Sequence, residues 1–310
     1  LGFNKIIMDI SVIIVNWNTR DLLRDCLASV FRTLDQVSFE VMVVDNGSCD
    51  GSLEMVAEQF PAVHRIANAD NRGFGAANNQ ALRVMKGRYA LLLNSDTILT
   101  VGAVQALLSF MEAHPEAAMA CGQLLNRDGS KQHSFANFPD MLTLLTNAPL
   151  MESLCPKRYP SKRHDYPEPM EVDSGIGACL MVRRAAMEAV GLFDERYFFF
   201  FEETDWAYAM RQAGWKIFYV PTAFIYHLQG QSIGANVRSR IEFYKSRYQY
   251  FRKWRSYPYY LLMRGIILAR LSANWFFTGV ALAFSLGFSK QLRNKFYVYT
   301  RLLVWHLNIS

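Results

Sequence analysis

Residues 10–16 read ISVIIVN, and residues 41–48 read VMVVDNGS. Each begins as an unbroken apolar run and ends abruptly in polar side chains. A run this short and rich in β-branched residues predicts a strand covered on both faces, as in a parallel sheet. Between the two, residues 22–34 carry apolar side chains at helical spacing. Outward from this unit the alternation continues. The spacing predicts a helix over 52–59, a short strand over 63–67 and a helix over 75–85, then a strand over 89–93 and a helix over 101–113. This pattern implies an α/β fold with a mostly parallel central sheet flanked by helices. Ligands of such sheets bind beyond the carboxyl ends of the strands. The polar clusters fall at those ends, in Asp45-Asn46-Gly47-Ser48 and in Asn94-Ser95-Asp96.

Past residue 125 the pattern changes. Residues 126–172 hold Pro139, Pro149, Pro156, Pro160, Pro167 and Pro169 with little periodicity. They predict a long, partly irregular excursion of the kind that contacts substrates. Strands are expected again over 179–182 and 217–220, separated by a helix over 202–213 that stops at Gly214, a suitable C-cap.

A second change comes at Arg238. From there 13 Lys/Arg face one acid, Glu242, a net +12, whereas the preceding residues carry 20 Lys/Arg against 26 Asp/Glu, a net −6. Such asymmetry points to a basic appendage with an anionic partner. Ile241, Tyr244, Tyr248 and Phe251 recur at helical spacing with Arg and Lys between them, the pattern of a membrane-surface helix. Residues 271–288 are uncharged, at the lower edge of what spans a bilayer. Arg264 and Arg270 interrupt the apolar stretch before them, and Lys290, Arg293 and Lys295 follow. In-plane or re-entrant burial is expected over a full span, with the cations on anionic lipid.

A chain of 310 residues, 51% hydrophobic, can bury one large domain, or one domain with an appendage. Its five cysteines are odd in number, widely spaced and without a CxxC pair, which argues against a disulfide framework or structural zinc and fits a reducing compartment. No signal peptide is read at the N-terminus, and Met8 is the expected start. No repeat or low-complexity segment is seen.

Several residues invite two readings. Asp45, at a strand end, can accept a hydrogen bond from a ligand N–H or serve as a cap or Asx turn. Asp50 and Ser52 suit the cap of the next helix. Glu202, Glu203 and Asp205 open a helix, where acids also complement the N-terminal dipole. His227 is either a metal ligand or structural. The run Phe198–Phe201 is expected to pack in the core. GxGxxG and Walker motifs are absent.

Six segments carry a resemblance: ISVIIVNWN (10–18), VVDNGSCDGS (43–52), NRGFGAANNQAL (71–82), LLLNSDT (91–97), FFFFEETDWAYAMRQAGW (198–215) and HLQGQS (227–232). They stand in the order and spacing of bacterial family 2 glycosyltransferases. The chain most resembles the rhamnosyltransferase-like branch that builds cell-surface polysaccharides, over about residues 9–235. The resemblance implies a GT-A (Rossmann-like) catalytic domain over 9–237, with a nucleotide-sugar half at about 9–125 and an acceptor half at about 126–237. Residues 238–310 then form a basic, aromatic, apolar helical tail associated with membrane.

The same resemblance implies roles. Asp45 would hold the imide of the donor's uracil or thymine, and Asn16, Asn71, Gly73, Asn78, Asn94, Ser95 and Asp96 would contact the nucleotide sugar. Asn94-Ser95-Asp96 matches the family's DxD metal motif, with Asn94 in place of the first acid. A divalent cation there, Mn2+ or Mg2+, neutralises the leaving diphosphate. Its ligands would be Asp96, Asn94 and, as in some relatives, His227. Glu203 falls on the position of the general base, where the family has Asp; Glu202 and Asp205 are alternatives. Asp173, Gly175, Gly177 and Trp206 would lie near the acceptor or the donor sugar.

The expectation is therefore an inverting, metal-dependent transferase. It would move a sugar from a nucleotide diphosphate, dTDP-rhamnose first and a UDP-sugar second, onto a polyprenyl-diphosphate-linked glycan. Its place would be the cytoplasmic face of a bacterial inner membrane, peripheral or monotopic, with an anionic membrane surface as partner and no nucleic acid. Two rivals remain at this point. A nucleotidyltransferase would carry a glycine-rich basic loop after the first strand, where VNWNTRDLL has no glycine. A non-catalytic nucleotide- or glycan-binding scaffold would bind donor or glycan without turnover.

Overall fold

The computed structural model describes residues 8–34, 37–146, 148–228 and 237–308. The nucleotide-side elements are β1 (Met8–Asn16), α1 (Arg20–Thr33), β2 (Phe39–Asp45), α2 (Ser52–Gln59), β3 (His64–Ala67), α3 (Phe74–Leu82), β4 (Gly87–Asn94), β5 (Thr97–Leu99) and α4 (Ala103–Ala113). Next come β6 (Ala117–Leu125), β7 (Phe135–Ala136), α5 (Met141–Leu145), α6 (Ala148–Leu154), β8 (Met170–Val172), β9 (Ser174–Gly175), β10 (Cys179–Arg183), α7 (Arg184–Val190), α8 (Glu202–Gln212) and β11 (Lys216–His227). Three helices follow, α9 (Val237–Trp254), α10 (Tyr257–Phe284) and α11 (Lys290–Leu307).

A nine-stranded sheet runs β3-β2-β1-β4-β10-β6-β11-β5, with β8 also on β11. Strands β1 to β4 are parallel, in the register Asn16↔Asp45 and Val15↔Asn94. The sheet as a whole is mixed, because β10 lies antiparallel to both β4 and β6. Two reversals restore the direction, so β6 and β11 run with β4. The carboxyl ends of β1, β2, β4 and β11 and the start of β10 therefore share one end of the sheet.

The unbroken apolar runs follow from two-sided burial. In β1, Ile10, Val12 and Ile14 face the core that includes Leu23 and Leu27 of α1, while Ile13 faces the core holding Ala77 of α3 and Trp206 of α8. Successive strand residues point to opposite faces, so a covered strand has no polar alternation. Burying each large aliphatic side chain contributes roughly 1.5–3 kcal/mol.

Strand β6 was not anticipated. Its sequence, AAMACGQLL, has few β-branched residues, yet it is buried almost end to end. The excursion over 126–172 is also more ordered than expected, since it contains β7, α5, α6 and β8.

Two compact units divide the chain. One joins Leu1–Phe138 with Ser161–Ser232, and the other joins Pro139–Pro160 with Ile233–Ser310. The second unit thus takes in part of the segment assigned from sequence to the acceptor half. Within it, Arg270 donates to the Leu144 carbonyl at 2.7 Å and Arg264 to the His306 carbonyl at 3.2 Å. Both arginines sit inside one continuous helix, α10, and break its apolar run without ending the helix.

Candidate active site

The sheet end is organised first by Asp45. Its two carboxylate oxygens accept from Asn16 Nδ2 at 2.8 Å and from the Ser48 amide at 2.8 Å. This ties the end of β1 to the turn after β2. Thr19 Oγ1 donates to Asn16 Oδ1 at 2.7 Å, so the Ser95 hydroxyl, also at 2.7 Å, is the donor in their contact. One buried polar chain therefore joins Asp45, Asn16, Thr19 and Ser95. Asp50 accepts from the amides of Arg20 and Ser52, at the starts of α1 and α2.

The segment 71–78 lies beside this chain. Asn71 Oδ1 accepts the Gly73 amide at 2.9 Å, and Asn46 Nδ2 reaches the Gly73 carbonyl at 3.3 Å. Gly73 has φ +84°, and a Cβ there would stand 2.3 Å from the Phe198 carbonyl oxygen. Only glycine permits this approach. Asn78 is buried and bonds back to the Phe74 carbonyl at 3.0 Å, inside its own helix.

The metal-motif residues meet His227. Strand pairing sets Thr97 against His227, and the Leu228 amide donates to the Asp96 carbonyl at 2.9 Å. His227 Nε2 then lies 3.4 Å from Asp96 Oδ1 and 3.5 Å from Asn94 Nδ2. Gln132, which sequence reasoning missed, fixes the imidazole. Its Nε2 donates to the His227 carbonyl at 2.6 Å and to Asn126 Oδ1 at 2.7 Å, leaving its Oε1 3.0 Å from His227 Nδ1. With Gln132 Oε1 as acceptor, Nδ1 carries a proton and Nε2 is directed at a carboxylate oxygen. Asp96 Oδ1, His227 Nε2 and the Asn94 side chain thus converge on one point. Ligands about 2.1 Å from one ion at near-right angles lie about 3 Å apart, close to this spacing. The donor set of carboxylate, imidazole and the Asn94 amide oxygen (after a flip) suits a divalent ion. Among the described residues no group of three or more His, Cys, Asp and Glu gathers at a metal-holding distance. Phosphate oxygens of a ligand would complete the shell, as is usual for Mg2+. Residues 229–232 of the HLQGQS segment lie outside the described residues.

Across the sheet end stand the acids of α8. The Asn94 amide donates to the Ala178 carbonyl at 3.0 Å, and the next residue back, Gly177, approaches Glu203. Burial raises the Glu203 carboxyl above its ordinary range, opposed by the backbone N–H groups of Glu203, Thr204 and Gly177. Glu202 is deeper, with a buried Oε2 that has no hydrogen-bond partner. Burial, then the charge of Glu203, pushes its carboxyl well above the ordinary range. Asp205 instead accepts from the buried Tyr197 hydroxyl at 3.1 Å and is part of the scaffold. Half-buried Glu203 is thus the acid best placed to act as a base.

Other expectations are revised. The Phe198–Phe201 run is not core: Phe198 is 39% exposed and its neighbours are half-buried. The reason is backbone geometry, since Phe200 and Phe201 adopt φ +68° and +69° just before Glu202. Such strain costs on the order of 1–3 kcal/mol per residue and collects at functional sites. Trp206 is 1% exposed, with its Nε1 on the Gly191 carbonyl, and offers no surface to an acceptor. Asp173 accepts from the Phe138 amide and pairs with Arg211, so both its oxygens serve the scaffold. Gly175 is required by packing, because a Cβ would meet Leu180 and Cys121.

Comparison with known proteins identifies the family. Residues 11–191 match the family model for glycosyl transferase family 2. An N-acetylglucosaminyl-diphospho-decaprenol L-rhamnosyltransferase of Mycobacterium tuberculosis is 30% identical over 251 residues, 74% of this chain and 81% of that protein. A low-salt glycan biosynthesis hexosyltransferase of Haloferax volcanii is 24% identical over 208 residues, 66% of this chain and 62% of that protein. Among solved structures, a mannosyltransferase from Pyrobaculum calidifontis in complex with GDP-Man and Mn2+ aligns over 97% of this chain and 87% of its own, with TM-score 0.57 at 17% identity. Staphylococcus aureus TarS 1–349 aligns over 97% and 81%, with TM-score 0.54 at 16% identity. These two likenesses are of fold, the GT-A fold. The match over more than half of the chain, with the mycobacterial relative, establishes that this protein belongs to glycosyl transferase family 2.

Proposed function

We propose that the enzyme is an inverting, metal-dependent sugar transferase whose donor is dTDP-rhamnose, with a UDP-sugar as the next candidate. Its acceptor would be a hydroxyl of a polyprenyl-diphosphate-linked glycan at the cytoplasmic face of a bacterial inner membrane. The observation that carries the metal and base assignments is the meeting of Asp96 and His227 at the sheet end where Glu203 also stands. The mycobacterial relative, an N-acetylglucosaminyl-diphospho-decaprenol L-rhamnosyltransferase, favours the lipid-linked acceptor and the rhamnosyl donor.

In this reading Glu203 takes the proton of the acceptor hydroxyl as that oxygen attacks the anomeric carbon. The nucleotide diphosphate departs from the opposite face, so the configuration inverts. Asp96 and His227, with Asn94, would hold Mn2+ or Mg2+, which supplies charge neutralisation to the leaving diphosphate. Asp45 positions the donor base indirectly through Asn16 and Ser48, and directly if a ligand displaces one of those bonds. Gly73 lets the backbone come close to the donor.

Calorimetric binding of dTDP, UDP and GDP, each with Mn2+ and with EDTA, tests the proposal. Metal-dependent preference for dTDP supports the rhamnosyl donor, to be followed by transfer onto an N-acetylglucosaminyl-diphospho-polyprenol. Preference for UDP moves the donor and keeps the mechanism. No binding of any nucleotide with metal present would overturn the metal-dependent reading.

A further inference from the structure

The last two helices form an antiparallel hairpin. Trp275 Nε1 donates to Thr300 Oγ1 at 2.9 Å, the Trp275 and Phe296 rings stack at 5.4 Å, and Gly279 packs against Phe296. Up to Leu271, α10 has a buried stripe of Tyr260, Met263, Ile267 and Leu271; beyond it none of its residues is buried. The free part nevertheless stays apolar. Phe276, Phe277, Val280 and Phe284 recur along one face, and the turn adds Leu286 and Phe288. Phe284, Leu286 and Phe288 are 87%, 80% and 81% exposed. An apolar patch of this size on a water-facing hairpin marks a partner surface.

Charge chooses the partner. Residues 257–308 contain no Asp or Glu, and Lys290, Arg293 and Lys295 follow the turn at once. Arg293 also donates to the Gly287 carbonyl at 2.8 Å, which anchors the turn. Length then sets the depth. The whole of α10, Tyr257–Phe284, is long and apolar enough to cross a bilayer by length and composition, but its first half carries Arg264, Arg270 and the buried stripe, and from Leu271 to Phe284 it rises only about 20 Å. That is short of the ~30 Å hydrocarbon core, and the lysines beside the tip oppose deep entry. A shallow in-plane helix, about 5–10 Å into the headgroup–acyl boundary, satisfies both constraints.

We infer that the α10–α11 hairpin is a monotopic membrane wedge. Its face of Phe276, Phe277, Val280, Phe284, Leu286 and Phe288 enters one leaflet, and Lys290, Arg293 and Lys295 rest on anionic headgroups. This refines the membrane partner proposed above and rests on it.

The test is flotation of the full chain with vesicles of phosphatidylcholine alone or mixed with phosphatidylglycerol. The wild type is expected to float with the mixed vesicles, less so at high salt. Replacing Phe284, Leu286 and Phe288 together by Ser is expected to weaken flotation about tenfold or more, with helix content and nucleotide binding unchanged. Replacing Lys290, Arg293 and Lys295 by Gln is expected to remove the preference for phosphatidylglycerol. If the wild type floats and the triple Ser variant floats equally, the membrane reading stands and the wedge assignment is overturned. If the wild type does not float, both fall; a dimer that the Ser variant turns into a monomer would identify a second copy as the true occupant.

Discussion

His227 Nε2 faces Asp96 Oδ1 across 3.4 Å, and Gln132 Oε1, 3.0 Å from Nδ1, holds the ring in that orientation. Gln132 is itself held by the His227 carbonyl and Asn126, so the orientation is preset before any ligand arrives.

Removing that support should show first in metal binding. Partners that orient a metal-ligating histidine are worth about 10–100-fold in affinity. Gln132→Leu is expected to weaken Mn2+ binding, followed by electron paramagnetic resonance in the presence of nucleotide, by that order. Gln132→Glu keeps an acceptor for Nδ1–H and should recover part of the loss. Equal Mn2+ affinity in wild type and Gln132→Leu would show that the imidazole is oriented by something else.

Glu203 makes a prediction in pH. A base must be ionised to accept a proton, and burial raises this carboxyl above the ordinary 4.5. The acid limb of kcat/KM should therefore lie above 4.5, with activity rising as pH rises through it. Glu203→Gln should lower kcat by about 10²–10⁴-fold and abolish that limb while leaving donor binding intact. Near-native turnover in this variant would move the base elsewhere.

The parallel half of the site was legible because two-sided burial writes itself as apolar runs, and the polar residues that end them, Asn16, Asp45 and Asn94, mark the strand ends directly. Asp96 and His227 are 131 residues apart, and only the resemblance joined them in advance. The link Gln132 makes had no local signal, since a glutamine in an irregular stretch looks like any surface residue. Trp206 and Asp173 misled for the opposite reason. Their motif position suggests a ligand, and only burial and partners show that they serve the scaffold. Strand β6 escaped because its small residues fit a crowded interior and lack the β-branched signature.

Glu202 makes a prediction in stability. Its folded pKa is raised, so between the ordinary 4.5 and that raised value the folded state binds more protons than the unfolded state. Stability then falls as pH rises through this window and is fully present below it. Glu202→Gln removes the ionisable group. It should raise Tm at neutral pH by roughly 2–4 °C and change it little below pH about 4. A Tm gain of the same size at both pH values would assign the effect to packing in place of ionisation.

Gly73 ties residues 71–74 to the segment that leads to Glu203, the proposed base. Its amide caps onto Asn71, the next residue's amide donates to the Phe198 carbonyl at 3.1 Å, and two strained phenylalanines lead from there to Glu202 and Glu203. Gly73→Ala would add a Cβ 2.3 Å from the Phe198 oxygen at a φ of +84°. The contact cannot be relieved by a side-chain rotation, because both groups are backbone. Either 71–74 or 198–201 must move, at a cost on the order of 2–3 kcal/mol in stability. Movement of the second segment would also displace Glu203, so kcat should fall beyond what nucleotide affinity loses. Urea unfolding and a split of kcat from KM separate the two effects. Native stability and native kcat in Gly73→Ala would mean that the close approach of these two loops does not hold Glu203 in place.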